Sequence, residues 1–323
     1  MDQQRNDRSF RILSLDGGAF AGVFTLRVLA EIEKRSGKKI SEFFDGFSGI
    51  SAGSFLGAIL SHGDISAKDL IDEIIFTIKK MRSSTKERIQ TVWGALKPAL
   101  SHERKWDGLY RYFAGSQLKD LKIHGVFPIW DFEKKQIRIF DTHKHPDIFV
   151  CDVVFLSTGA NTVYGAVDSK LSEEKFSGSD LALLVNDPRL LAIMNFADKI
   201  KQRGAHILSV GSSLSPTEHK NSSFKKGPLR WIYNILPEIR RGQESFVNQS
   251  IDHLFEQQVL PIQSHLRLNL ISKKLVDGFR GDDELNIFFL ELAEELIERR
   301  SYDIDQFIDA CLNNTSIHIP VRL

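Results

Sequence analysis

The chain carries the stretch FFDGFSGISAGSFLGAIL at residues 43–60, in which an apolar run leads to a serine and small apolar residues follow. The first part is typical of a buried strand, and the part from Ala52 to Leu60 is typical of a buried helix. Between them lies Gly49-Ile50-Ser51-Ala52-Gly53, a G-x-S-x-G sequence. A sharp turn of this kind raises one hydroxyl above the sheet, and its glycines let neighbouring backbone pass close by. The stretch therefore predicts that Ser51 is a nucleophile on an elbow between Gly49 and Gly53.

Another unit of strand, turn and helix precedes this stretch. Phe10 to Leu15 is an apolar run that meets Asp16-Gly17-Gly18, and a helical pattern follows as far as Gly37. Two such units in succession indicate a parallel sheet with helices on its faces. Residues 125–130 and 136–140 are typical of a hairpin, and residues 206–211 of one more core strand. We predict a three-layer α/β/α sandwich with a mainly parallel central sheet, formed by a single domain over residues 1–323 with its core at about 10–300.

Composition excludes several classes of protein. The chain has 323 residues, of which 42% are hydrophobic and 26% charged, the balance of a globular protein. Its net charge of +1 creates no field that favours nucleic acid, so we expect no nucleic-acid partner. Cys151 and Cys311 fit no metal or disulfide spacing. The polar residues 1–8 are unlike a secretory signal, and no apolar stretch reaches about 18 residues. We expect a cytoplasmic protein whose contact with membranes is peripheral.

The glycine turn at residues 16–22, Asp-Gly-Gly-Ala-Phe-Ala-Gly, is the second candidate for chemistry. It lacks the spacing of a dinucleotide-binding loop and the Lys-Ser/Thr ending of a P-loop. We interpret Gly17, Gly18 and Ala19 as an oxyanion hole, in which the amides of Gly18 and Ala19 face the carbonyl oxygen of an ester. Adjacent parallel strands would place this loop beside Ser51. A tight turn without a ligand is the alternative.

A nucleophilic serine needs a base, and the residues alone do not identify it. The ten histidines stand in varied contexts that single out none of them. Among the carboxylates, Asp180 lies in a loop before Asn186-Asp187-Pro188, but Asp168 is an equal rival on this evidence.

Three segments together resemble the signature blocks of patatin-like phospholipases, in the same order along the chain. They are Ile12–Gly18, Gly49–Gly53 and Asp180–Pro188, and further similarity includes Leu266–Asn269, so that it spans roughly residues 10–300. The resemblance implies a Ser-Asp dyad without histidine, with Ser51 as nucleophile and Asp180 as catalytic aspartate. It also implies hydrolysis of acyl esters of phospholipids or lysophospholipids, without metal or organic cofactor.

The chain departs from the family pattern at four positions in its two loops. Ala19 and Ala21 replace a glycine and an arginine of the first loop, and Leu181 and Ala182 replace the glycines after the aspartate. These departures keep open a catalytically silent relative that binds lipid or protein. A Ser-His-Asp α/β-hydrolase is the enzyme alternative, although only one strand-helix unit precedes the elbow. A protein or small-molecule activator is a further partner that the resemblance leaves open.

Residues 225–236, KKGPLRWIYNIL, mix basic and bulky apolar side chains. This composition is typical of a helix that lies on a bilayer surface, with Trp231 and Tyr233 at the level of the headgroups. A core helix with a basic edge is an equal alternative.

Overall fold

The structure, a computed structural model, describes residues 7–18, 21–81, 102–159, 166–212, 228–270 and 282–319. Ala19 lies outside this part of the chain, as do the side chains of Trp231 and Tyr233, so the interpretations placed on them stay predictions.

A single sheet of eight strands forms the centre of the described structure. The strands are β1 (Phe10–Leu15), β2 (Gly46–Gly49), β3 (His124–Asp131), β4 (Gln136–Asp141), β5 (Val167–Asp168), β6 (Ser177–Ser179), β7 (Ala205–Val210) and β8 (Ile262–Leu268). Their order across the sheet is β5-β6-β3-β2-β1-β7-β8, and β4 pairs with β3. The sheet therefore places β1 in its interior, between β2 and β7.

Parallel pairing dominates the sheet. β1 pairs in parallel with both β2 and β7, β2 with β3, and β7 with β8. The pairs β3–β4, β3–β6 and β5–β6 are antiparallel and form one margin. The predicted hairpin is β3–β4. β3 continues past the end of β2, which pairs only with residues His124–Val126, and β6 runs antiparallel to this far part of β3, at Trp130 and Asp131. The chain that leaves Ser179 therefore heads back toward the carboxyl ends of β1 and β2.

Helices cover both faces of this sheet. They are α1 (Gly22–Ser36), α2 (Ile40–Phe43), α3 (Ala52–His62), α4 (Ala67–Met81), α5 (His102–Phe113), α6 (Val150–Ser157), α7 (Arg189–Asn195), α8 (Ala197–Arg203), α9 (Pro228–Glu256), α10 (Asp282–Arg299) and α11 (Ser301–Asn313). A 3₁₀ turn covers Leu118–Asp120. Helix α1 ends where the sequence predicts, because Gly37 takes up the left-handed conformation, φ 67°, that glycine adopts without strain.

Two apolar cores, one on each face of the sheet, show that the fold has three layers. Along β1, Leu13 and Leu15 point into the larger core with the apolar faces of α1, α3 and α6. Phe10 and Ile12 alternate to the other face and pack with α7, α8 and α9. The predicted α/β/α sandwich with a mainly parallel sheet is thus confirmed. No helix in the described ranges is long and apolar enough to cross a bilayer.

Candidate active site

The turn at Ser51 has the backbone geometry of an elbow. Ser51 joins β2 to α3 with φ 53° and ψ −120°, a conformation that costs a non-glycine residue roughly 1–2 kcal/mol. The amide of Ile50 donates to the carbonyl of Leu15 (3.1 Å), so the pairing of β1 with β2 continues up to the serine. The Ser51 side chain is only partly buried. Sheet and helix therefore hold a strained serine at the carboxyl end of β2.

The two glycines of the elbow lie where no side chain fits. A methyl group at Gly53 would lie 2.3 Å from the carbonyl oxygen of Leu15, and one at Gly49 would lie 2.4 Å from the carbonyl carbon of Gly53. These neighbours are backbone atoms, which cannot rotate away. The start of α3 thus passes directly over the end of β1, as the sequence pattern requires.

Two backbone groups of the glycine loop after β1 are already engaged in hydrogen bonds within the protein. The amide of Gly17 donates to the carbonyl of Asn186 (3.2 Å), and the carbonyl of Gly18 accepts the amide of Ala21 (2.9 Å). Ala21 is buried, with φ −69° immediately before α1, so alanine fits this position without strain. The Gly17 amide is therefore engaged with the segment that follows Asp180.

Asp180 is held at the end of β6 with its carboxyl group buried. Its amide donates to the carbonyl of Gly159 (3.1 Å), just beyond α6, and its Oδ1 accepts the amide of Ala182 (2.8 Å). Among the described residues, five non-glycine residues have positive φ, and Leu181 and Ala182 are not among them. The replacement of two glycines by these residues thus needs no left-handed backbone. Its rival Asp168 lies exposed in β5.

Gly17 is the point at which the three predicted blocks meet. A methyl group built on Gly17 would lie 3.1 Å from Cγ2 of Ile50, 3.3 Å from Cβ of Ala182 and 2.8 Å from Oδ1 of Asn186. Ile50 directly precedes Ser51, and Ala182 is the residue whose amide binds Asp180. The fold therefore brings the elbow, the glycine loop and the aspartate loop together at one edge of the sheet.

A buried network of charges, which the sequence did not reveal, lies beneath these loops. Arg267 of β8 forms a bidentate ion pair with Asp16 (2.8 and 2.7 Å) and also contacts Glu244 of α9 (3.0 Å). Arg189 binds Asp187 in a second pair (2.6 Å), and Arg267 lies 3.8 Å from the same carboxylate. The network thus joins the first residue of the glycine loop to the loop that contains Asn186.

The buried network contains more acidic than basic side chains, and this imbalance determines the pKa values of its carboxyl groups. Burial raises the pKa of Asp16 to about 7, against the opposing charge of Arg267. Burial alone would also raise the pKa of Asp187, but Arg267 and Arg189 lower it to about 2. Three carboxylates face two guanidinium groups, so one carboxylate lacks a full counter-charge. The only feature of the sequence that pointed to this network was the family resemblance at Leu266–Asn269. That segment includes Arg267 but gives no indication of the residues with which it pairs.

Lys105 is a second residue that the sequence did not reveal. A run of basic residues in a helical segment normally lies on a solvated face, but the side chain of Lys105 is only 6% exposed. Its Nζ donates to the carbonyl of Phe155 (2.8 Å) and lies 4.8 Å from the centre of that ring. Burial lowers the pKa of Lys105 to about 7, and the carboxylate of Asp180 opposes this shift. A titratable amine therefore lies near the predicted base.

Other reactive groups in the described structure have structural surroundings. Burial raises the pKa of both Cys151 and Cys311 to about 12, so neither thiol ionises at neutral pH. His206 contacts Ser264, and His265 contacts Arg189, both between buried side chains. Burial lowers the pKa of His206 to about 4. Within the described ranges, no cluster of three His, Cys, Asp or Glu side chains could hold a metal ion.

Comparison with known proteins gives relatives along most of the chain. A cGAMP-activated phospholipase of Pseudomonas aeruginosa is 27% identical over 262 residues, which cover 77% of this chain and 75% of the relative. Patatin-like protein 1 of Arabidopsis thaliana is 25% identical over 267 residues, or 69% of this chain and 64% of the relative. The crystal structure of VipD from Legionella pneumophila aligns with 91% of this chain and 67% of its own, at 11% identity and a TM-score of 0.43.

The family model described as Patatin-like phospholipase matches residues 13–179. This range begins inside β1, includes the glycine loop and the elbow, and ends one residue before Asp180. Since the match covers more than half of the chain, the protein belongs to the patatin-like phospholipase family.

Proposed function

We propose that this protein hydrolyses acyl esters of phospholipids or lysophospholipids, with Ser51 as the nucleophile and Asp180 as its base. The observation that carries the proposal is the packing at Gly17, where a methyl group built on the glycine would contact Ile50, Ala182 and Asn186 at once. Two residues that chemistry requires to cooperate, 129 positions apart in the sequence (180 − 51), thereby flank the same loop. The strained backbone of Ser51 gives further support.

In the proposed mechanism Asp180 takes the proton of the Ser51 hydroxyl while Oγ attacks the ester carbonyl. The tetrahedral intermediate collapses, the alcohol leaves with the proton from Asp180, and the acyl group stays on Oγ. Water then attacks the acyl-enzyme and gives a proton to the same carboxylate. As the fatty acid leaves, Asp180 returns that proton to Ser51 Oγ, which restores the serine and the carboxylate. The buried position of Asp180 favours this role, because burial makes a carboxylate a stronger base than it is in water.

The glycine loop would stabilise the negative charge that forms on the carbonyl oxygen. We assign the donors to the amides of Gly18 and Ala19, since the amide of Gly17 is already bonded to Asn186. Gly17 then serves the oxyanion hole by its small size, which lets the elbow and the aspartate loop approach. In this assignment, the buried pair of Asp16 and Arg267 fixes the start of the loop.

Labelling with a fluorophosphonate, followed by mass mapping of the modified peptide, tests the nucleophile directly. We expect the label on Ser51, and we expect Ser51→Ala to lose both the label and ester hydrolysis. Asp180→Asn should retain the fold and lose activity, whereas Asp168→Asn, an exposed carboxylate on β5, should leave activity unchanged. Full activity in either dyad variant would remove that residue from the mechanism.

These assays should be made with and without a cyclic dinucleotide. Relatives from three bacterial species are named as cGAMP-activated phospholipases, and we extend activation of this kind to the present chain as a proposal. An absence of label in both conditions, from a folded protein, would instead favour a family member that binds lipid without cleaving it.

We further propose that the protein reaches its substrate from the surface of a bilayer. Leu184, 53% exposed, follows Asp180 closely, and its carbonyl accepts a hydrogen bond from Gln243 of α9 (2.5 Å). Ile239 and Phe246 lie four residues before and three after Gln243, hence on the same side of α9. Phe246 is 66% exposed. We call Leu183, Leu184, Ile239 and Phe246 the apolar rim, and its position beside the aspartate loop suits a lipid-facing role.

A further inference from the structure

Lys105 and Asp180 are both fixed to the carboxyl-terminal end of α6. Nζ of Lys105 donates to the carbonyl of Phe155, in the last turn of α6 (2.8 Å). The amide of Asp180 donates to the carbonyl of Gly159, two residues beyond the end of the same helix (3.1 Å). The end of α6 thus binds the ammonium group of Lys105 and the backbone of Asp180, and so brings together two residues that lie 75 positions apart in the sequence (180 − 105).

The surroundings of Lys105 are apolar, which makes its charge unusual. The ring of Trp106 packs edge-on against Phe155, with ring centres 5.3 Å apart, and Lys105 lies over the ring of Phe155. Lysine is almost never buried unless an opposite charge compensates it. The carboxylate of Asp180 supplies an opposite charge, and Asp180 is itself buried.

We propose that Lys105 is a positioning residue for Asp180, whose ammonium group supplies the counter-charge that keeps this buried carboxylate ionised and able to accept the Ser51 proton. The inference rests on the proposed dyad of Ser51 and Asp180. A buried carboxyl group without such a charge would hold its proton at neutral pH and could not act as a base. Burial lowers the pKa of Lys105 to about 7, so its counter-charge is complete on the acidic side of neutrality, where the Asp180 carboxylate must lose its proton.

Other charged or titratable groups surround this pair and act differently. Asp152 of α6 is buried, but its carboxylate accepts the amides of residues 170–172. Lys170 lies over the rings of Trp106 and Phe155, at 4.7 and 5.3 Å, but is exposed to water, which screens its charge. In the described part of the chain, further titratable groups on neighbouring elements include His102, Glu103 and Asp107 of α5, Cys151 of α6, and Asp16, Asp187 and Arg267 of the buried network.

The test is the pH dependence of kcat/KM and of the rate of fluorophosphonate labelling, measured on the full chain. Lys105→Gln keeps a donor for the carbonyl of Phe155 but removes the charge, whereas Lys105→Arg keeps the charge. We expect Lys105→Gln to move the acidic limb of both profiles upward by about one pH unit or more. Lys105→Arg should restore the limb toward that of the wild type. Lys170→Met, which removes the other lysine from the same rings, should leave both profiles unchanged.

The outcomes separate this inference from the proposed dyad. Loss of label and activity in Ser51→Ala, together with an unshifted acidic limb in Lys105→Gln, would overturn the role of Lys105 alone. An equal shift in Lys170→Met would also overturn it, because the effect would then follow from any nearby charge. Retained activity in Ser51→Ala would instead overturn the dyad. If Lys105→Gln lost its near-ultraviolet circular dichroism, and so its tertiary structure, the test would rest on Lys105→Arg. This variant keeps the charge, so a folded Lys105→Arg whose acidic limb differed from that of the wild type would overturn the role of Lys105.

Discussion

The backbone at Ser51 depends on a glycine that leaves no room for a methyl group. A Cβ atom at residue 53 would lie 2.3 Å from the carbonyl oxygen of Leu15, so Gly53→Ala must push α3 away from β1. We expect this variant to lose about 3 kcal/mol or more of unfolding free energy in urea denaturation, together with its reactivity toward fluorophosphonate.

Gly242 of α9 provides the matched control for this prediction. No atom of the described residues lies within 4 Å of a Cβ atom built at residue 242, and alanine favours a helix over glycine by about 1 kcal/mol. We therefore expect Gly242→Ala to be neutral or slightly stabilising. Equal losses of unfolding free energy in the two variants would show that the close approach at residue 53 is unimportant.

Lys105 should also give stability a pH dependence with a definite sign. Burial lowers the pKa of Lys105 from its usual 10.5 to about 7, so between these values the unfolded chain binds one more proton than the folded protein. The unfolding free energy of the wild type should then rise, relative to that of Lys105→Met, as the pH rises through this window, by about 1.4 kcal/mol per unit at most. Urea denaturation of both proteins at several pH values measures this rise. A difference in unfolding free energy between the two proteins that stayed constant with pH would contradict the prediction.

The residues that sequence could identify are those whose role is set by their neighbours in the chain. The elbow around Ser51 is recognisable because a strand, two glycines and a helix lie within one short stretch. Lys105 could not be recognised, since its burial depends on Phe155 and Asp180, which are distant in the sequence. The same holds for Asp16, whose partner Arg267 lies on a strand 251 residues away.

Among the elements, β8 and α9 are tied to the glycine loop by Arg267. Removing one partner of a buried ion pair leaves the other charge uncompensated, which costs about 3–5 kcal/mol. We expect Arg267→Met to lose unfolding free energy of this order and to reduce ester hydrolysis, because Asp16 precedes the proposed oxyanion loop. Thermal and urea denaturation would measure the first effect, and initial rates the second.

Lys119, in the 3₁₀ turn, is the control for this loss. It pairs with Asp147 at the protein surface (2.8 Å), where both side chains are at least half exposed, and surface ion pairs contribute about 1 kcal/mol or less. Lys119→Met should therefore change stability little and leave activity intact. A loss as small in Arg267→Met would mean that the buried network does not hold the loop.

Elements with a strong local pattern were predictable, and the margins of the sheet were not. The apolar runs that became β1, β2 and β7 have a single interpretation, and the charged turn between residues 130 and 136 predicts the hairpin of β3 and β4. Strands β5 and β6 have two and three residues, too few for a periodic pattern. Nothing in the sequence indicates that β7 pairs with β1, since that neighbourhood arises only when the sheet is assembled.

At the scale of the whole molecule, the two faces of the sheet differ in how their helices contact the candidate site. Helix α9 packs on one face through Val247 and Ile251, and through Gln243 it holds the loop that follows Asp180. Helix α10 packs on the opposite face with α1 and is not part of this contact. If the protein works at a bilayer, the face with α9 should meet the lipid.

Phe246→Asp on the apolar rim tests this orientation, with Ile287→Asp on α10 as its control. Both side chains are more than half exposed, 66% and 56%, so neither change should disturb the cores. Burying a phenylalanine in lipid is worth about 2 kcal/mol, so Phe246→Asp should weaken vesicle binding in flotation by about tenfold or more. Hydrolysis of vesicle lipid should fall in parallel, while hydrolysis of a soluble short-chain ester should not, because Phe246 is not part of the proposed dyad. Equal losses of binding in both variants would mean that lipid meets the protein without a preferred face, and no loss in either would exclude the apolar rim as the lipid-facing surface.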